Sequence, residues 1–186
     1  MEKINMNTQT ETQTELKHGV YFANLEAYNS GRMVGGWVWP LHHDSIDSYY
    51  KAIKRVTRNA DEVAVHDYDD FPDMGEYPDH GELYEMIHAV EDSHIDNETL
   101  FKYMANQHNY SIDLVDEAEN SYISTFNRFS DFSNDHADEE IMCIVNKEAQ
   151  QFVFDNFDYD SYSRDLQHSY CSFELSTYEV AIFHQS

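Results

Sequence analysis

Residues 20–40, VYFANLEAYNSGRMVGGWVWP, decide the fold. Val20, Tyr21 and Phe22 are strand formers, and a second such run closes on Trp37, Val38 and Trp39 before Pro40, which cannot donate to a ladder. Between the two runs, Asn29, Ser30 and Gly31 carry turn chemistry, so 19–25 and 33–39 are predicted to form a β-hairpin. Gly35 and Gly36 weaken a strand interior, which predicts a bulge or a close backbone approach at that point.

Moving toward the C-terminus, Asp44 followed by Asp47 resembles a capping box. Ile46, Tyr49, Tyr50, Ile53 and Val56 then recur at three- and four-residue spacing, as one buried face of a helix requires. Lys51, Lys54, Arg55 and Arg58 make a basic stripe on the opposite side, which cations near a helix C-terminus already explain. Glu62 to His66 is predicted as a third strand. In the other direction, residues 1–17 lack apolar periodicity and are expected to be a flexible tail.

The next stretch, 61–85, reads DEVAVHDYDDFPDMGEYPDHGELYE and holds ten carboxylates with no Lys or Arg. Ordinary solvated faces intersperse both signs, so this stretch predicts a charged display surface. The imbalance has a location. Residues 1–58 carry 6 acids and 7 bases, whereas 59–186 carry 30 acids and 4 bases, within a chain whose net charge is −25. Such a balance argues against binding nucleic acid or an anionic membrane and favours a basic partner. The 14 Tyr, 11 Phe and 2 Trp supply more aromatic surface than a disordered acidic chain keeps, so the protein is expected to fold.

Leu83, Met86, Ile87 and Val90 define a further helix opened by Asp79 or Glu82, and Leu100, Phe101 and Met104 define another over 97–107. Beyond Asp113, carboxylate clusters alternate with aromatic anchors. Two helices are predicted there, the first holding Asp116, Glu117 and Glu119 with Tyr122, Ile123 and Phe126. The second holds Asp131, Asp135, Asp138, Glu139 and Glu140, with Ser130 or Ser133 as its cap. Asp155, Asp158 and Asp160 follow among Phe154, Phe157, Tyr159 and Tyr162, and 170–183 is predicted as two strands joined at Ser176-Thr177.

The fold class is therefore α+β. Cys143 and Cys171 are too few for a disulfide framework and are expected as buried thiols in a reducing, cytoplasmic compartment. There is no signal or membrane-spanning run, no HExxH, CxxC, GxSxG or glycine-rich phosphate loop, so neither an enzyme nor a cofactor is expected. Asp67, Asp69 and Asp70 begin like a calcium loop, but Pro72 stands where that loop needs Gly and Pro78 where it needs Glu, leaving at most weak cation binding. Adjacent His42 and His43 are expected as a surface pair.

VYFANLEAYNSGRMVGGWVWP, AVHDYDDFP and GEYPDHGELYEM, followed by AENSYISTFNRFSDFSNDHADEE and FDNFDYDSYSRDLQHSY, resemble the ArdA-type antirestriction proteins of phages, plasmids and transposons. Ala23, Asn24, Leu25, Ala27, Tyr28, Asn29, Gly31, Gly35 and Trp37 carry the first part of that resemblance, His66, Asp67 and Tyr68 the second, and Tyr162, Arg164, Asp165 and Leu166 the last. The resemblance implies an elongated protomer of three small domains: an N-terminal α/β domain (18–66), a central helical domain (67–112) and a C-terminal α+β domain (113–186) through which two copies pair. It also implies a DNA mimic that occupies the DNA-binding groove of type I restriction-modification enzymes. The alternative is an acidic inhibitor of another basic nucleic-acid-binding protein, such as a CRISPR effector, another defence system or a histone-like protein. The surface expected to meet the partner comprises Asp67, Asp69, Asp70, Asp73, Glu76, Asp79, Glu82, Glu85, Asp116, Glu117, Glu119, Asp131, Asp135, Asp138, Glu139, Asp155, Asp158 and Asp160.

Overall fold

A computed structural model describes residues 17–185; the expected tail at 1–17 lies outside them except for its last residue. The chain divides into two compact units, one ending at Asp79 and one beginning at His80. Both mix helices with a small antiparallel sheet, so the α+β class holds.

In the first unit, β1 (Gly19–Asn24) is central, flanked by β2 (Gly35–Val38) and β3 (Val63–Asp69). The expected hairpin is not a simple one, because α1 (Leu25–Asn29) sits between its strands. Asn24 initiates that turn of helix: its side-chain oxygen accepts the Ala27 N–H at 2.8 Å, and its amide donates to the Thr57 carbonyl at 3.1 Å. The glycine expectation resolves in favour of close approach. A Cβ on Gly35 would lie 2.3 Å from the Phe22 carbonyl oxygen, while the bulge sits instead in the β1 and β3 pairing between Tyr21 and Phe22. Strand β3 continues past His66 to Asp69.

Helix α2 (Ile46–Val56) is capped by Ser45, not by Asp44; the Ser45 hydroxyl accepts the Ser48 N–H at 3.3 Å. Its buried face is Tyr49, Ala52 and Ile53, packed on the sheet with Phe22 and Tyr49 rings 6.0 Å apart. Tyr50, placed inward by its spacing, is exposed, and Ala52 is buried instead. Lys51, Lys54, Arg55 and Arg58 are all exposed, as are His42 and, in part, His43. Burial beside His42 and Arg55 holds the His43 imidazole below its usual value.

The second unit begins with α3 (His80–Asp92), α4 (Asn97–Asn106) and α5 (Ile112–Ser121). Leu83, Met86, Ile87 and Val90 are buried as their spacing predicts, and so are Leu100 and Met104. Phe101 is only partly covered; Tyr103 takes the inward position, its ring tilted over Phe183 at 4.7 Å. Tyr122, Ile123 and Phe126 do not continue α5. They form β4 (Tyr122–Phe126), the edge of a sheet ordered β4, β6 (Val180–His184), β5 (Tyr170–Glu174). Ala181, Ile182 and Phe183 of the central strand are fully buried.

Helix α6 (Phe129–Ile144) starts earlier than predicted, so Ser130 and Ser133 lie inside it and Arg128 occupies the cap position without a side-chain bond. Helices α7 (Lys147–Asn156) and α8 (Tyr159–Leu166) follow, opened by Asn146 and Asp158. Cys143 is exposed and Cys171 partly so, since Cys143 falls on the outer side of α6 and Cys171 on an edge strand; neither is the buried thiol expected.

Candidate partner-binding acidic surface

Among the described residues no Asp or Glu side chain is buried, although the first unit and the second each bury polar residues of other kinds. Carboxylates are expensive to bury without a paired cation, and from residue 59 onward only four Lys and Arg exist to pair with 30 acids. The fold therefore leaves them at the surface.

In the first unit the display is built by β3 and the loop that follows. Asp67 and Asp69 alternate along β3 and are exposed. Asp70 adopts a left-handed backbone with φ 53°, turning the chain back on itself. The returning loop is fastened at three points. The Val65 N–H donates to the Glu76 carbonyl at 2.9 Å, the Tyr68 hydroxyl to the Gly75 carbonyl at 2.8 Å, and the Gly75 N–H to the Asp73 carboxylate at 2.7 Å. Gly75 has φ 86°, which suits glycine. Burial, with the Asp73 charge nearby, pushes the Tyr68 phenol well above its usual value, keeping it a donor.

Between β3 and this loop opens a cleft of about 480 Å³, walled by Tyr28, His66 and Tyr68 and by Asp67, Asp73 and Glu76. Tyr28 is half-exposed, and its ring meets that of His66 edge-on at 4.7 Å. Glu76 lies 4.0 Å from His66. Asp73 and Glu76 are exposed at its rim, and Asp70 and Asp79 are exposed elsewhere in the same segment.

In the second unit, Glu82 and Glu85 project from α3 and Asp116 from α5 into solvent. Glu117 and Glu119 are half-buried and make internal bonds: Glu117 accepts the Tyr103 hydroxyl at 2.8 Å, and Glu119 accepts the Ser93 hydroxyl at 2.7 Å. That hydroxyl, with His94 at 3.4 Å, holds the Glu119 carboxyl below its usual range. On α6, Asp135 and Glu139 face outward, while Asp131 and Asp138 are half-buried. The Tyr159 hydroxyl donates to Asp138 at 2.5 Å, and this bond pushes the phenol up to about 12. Asp155 accepts the Gln151 amide at 2.8 Å, Asp158 caps α8 through the Ser161 N–H at 2.9 Å, and Asp160 is exposed in that helix's first turn.

The structure thus gathers Asp67, Asp73 and Glu76 around one cleft of the first unit, with Asp69 and Asp70 exposed at the end of β3. It brings the α6 acids beside the start of α8 through the Asp138 and Tyr159 bond. Several equally exposed acids were absent from the sequence-based set, among them Glu91, Asp92, Glu140, Glu148 and Asp165. One acid has an unforeseen internal role: Glu98 accepts both the Ser176 N–H and the Ser176 hydroxyl at 2.7 Å and pairs with Lys102 at 3.2 Å. No local pattern announces a partner 78 residues away.

Among the described residues, no group of three or more His, Cys, Asp or Glu is placed to hold a metal ion, and no helix is long and apolar enough to cross a membrane. Fold and surface together define a class, a small α+β protein that turns its acidic side chains outward. Residues 20–179 match the family model described as antirestriction protein (ArdA), and the chain belongs to that family. It is an antirestriction protein, and the family implies interaction with restriction-modification enzymes. No curated protein matches the chain.

Proposed function

We propose that the protein is a DNA mimic that inhibits type I restriction-modification enzymes by filling their DNA-binding groove. The observation that carries this reading is the outward placement of the carboxylates, with no buried Asp or Glu among the described residues. Along α6, Asp131, Asp135, Asp138 and Glu139 recur about every turn, roughly 5.4 Å of axis, a spacing on the scale of the ~3.4 Å rise per phosphate on one DNA strand. The partner's groove supplies the cations that the chain itself lacks, and the field speeds encounter with it. The protein acts without catalysis or cofactor, and a bacterial cytoplasm is where it meets its target.

Two copies pair through the C-terminal part. Met142 and Ile144 on α6 and Phe152 on α7 are exposed apolar side chains in an otherwise acidic region, and α7 buries none of its residues within the protomer. A pair would carry twice −25, or −50, equal to the phosphates on about 85 Å of duplex at one charge per ~1.7 Å. Changing Ile144 and Phe152 together to Glu is expected to yield a monomer by sedimentation.

The decisive experiment is competition. Purified type I complex, its cognate duplex and increasing protein are expected to show loss of DNA binding with a competitive pattern. Joint replacement of Asp135, Glu139 and Glu140 by amides is expected to weaken inhibition in steps, each single change contributing little because exposed charges are individually worth little. DNA binding that persists at saturating protein would overturn the type I target, and one Asp→Asn change that abolishes inhibition in a folded protein would overturn the mimic.

A further inference from the structure

The cleft of the first unit differs from the rest of the acidic surface. Asp135 and Glu139 border a smaller concavity of about 320 Å³ in the second unit, beside Phe126, Phe132 and Tyr170; here Asp67, Asp73 and Glu76, carboxylates on two facing walls, border one of about 480 Å³ whose walls are aromatic, and no Lys or Arg lines it. That volume lies toward the low end of the ~300–1,000 Å³ found for small-ligand sites, room for one long side chain rather than a helix or a strand. Two bonds tie the loop to β3 and a third braces it internally, so the walls of the cleft are fixed by the chain's own contacts.

We propose that this cleft receives one arginine side chain of the basic partner. The proposal rests on the reading that the partner is basic, and it adds a shaped anchor to a surface otherwise defined by charge alone. Three features select the ligand. The negative rim excludes anions. The exposed Tyr28 ring, steadied edge-on against His66, offers a π-face to a planar cation within the ~6 Å over which cation–π attraction acts. Carboxylates on the β3 wall and on the loop wall, Asp67 and Asp73, accept the forked N–H groups of a guanidinium from two sides, which a compact ammonium cannot satisfy together. Arginine is therefore bound in preference to lysine.

The test uses the whole protein and a small probe, so it does not depend on any enzyme. Amide NMR titrations with N-acetyl-arginine amide are expected to give saturable shifts at Tyr28, His66, Tyr68 and Gly75. N-acetyl-lysine amide is expected to bind at least about threefold more weakly, the scale of an exposed cation–π contact. Tyr28→Phe is expected to keep arginine binding and Tyr28→Leu to weaken it about threefold, with the spectrum elsewhere unchanged. Shifts that fail to saturate, that appear equally at the exposed helix acids Glu85 and Asp116, or that are the same for both probes would overturn the proposal. Saturable arginine binding by a protein that leaves the type I complex uninhibited would support the cleft and remove only the proposed target. Full inhibition by Tyr28→Leu together with unsaturable probe binding would do the reverse.

Discussion

Glu98 shows what a single acid does when it is turned inward. Its carboxylate accepts the Ser176 N–H and hydroxyl, and those bonds, ahead of Lys102, hold its carboxyl below the usual range. Lys102 in turn donates to the Glu174 carbonyl, so one residue pair on α4 holds the turn between β5 and β6. Because the folded carboxyl is the more acidic, its contribution is fully present above the ordinary Glu value of ~4.3 and is lost as pH falls through the lowered folded value. The Ser176 amide resonance is therefore expected to titrate with a midpoint below that of an ordinary Glu. In Glu98→Gln the dependence should vanish and amides across 175–179 should exchange faster; an unchanged exchange rate would show that the turn does not rely on this clasp.

At the scale of elements, helices with a clean apolar stripe were legible in the sequence, and those lying against chain-distant partners were not. Leu83, Met86, Ile87 and Val90 form an unambiguous face and are buried as read. β4 was missed because α5 runs straight into it at Tyr122 with no Gly or Pro to punctuate the change, although Tyr-Ile-Ser-Thr-Phe is rich in strand formers. α1 was missed because Asn29-Ser30-Gly31 signals a turn equally well after a strand or after a short helix; Gly31, with φ 76°, follows that helix. The signal for α1 was Asn24, whose side-chain oxygen caps the helix start while its amide ties it to the end of α2. Asn24→Ala is expected to destabilise the first unit by about 1–2 kcal/mol, the cost of a lost cap plus an unpaired Thr57 carbonyl. Both tryptophans, Trp37 and Trp39, lie in that unit, so tryptophan fluorescence in urea reports it alone. A midpoint that does not move would mean the cap is dispensable. The candidate surface was legible as a list of acids and illegible as a shape, since the cleft depends on Tyr28 from α1 meeting His66 from β3.

For the whole molecule, salt is expected to act with opposite signs on the free protein and on its complex. Thirty acids against four bases beyond residue 58 repel one another, and screening shortens that repulsion to a Debye length of ~8 Å at physiological ionic strength. Added sodium chloride should raise the melting temperature and should weaken binding to a basic groove. Affinity that stays flat would point to an interface dominated by aromatic and apolar contacts, and a melting temperature that falls would mean the acids are satisfied internally. The absence of any buried carboxylate among the described residues reaches further than salt. Proteins that unfold in acid often do so because paired or hydrogen-bonded interior carboxylates are forced to take up protons. Here most of the proton's sites are on the outside, and the hydrogen-bonded Glu98 and Glu119 are held below the usual range, so they take up protons last. As pH approaches the isoelectric value of about 4.4, the chain discharges while its apolar cores are still untouched, so mild acid is expected to act as a reversible off-switch, leaving a folded protein that has lost the charge by which it is recognised.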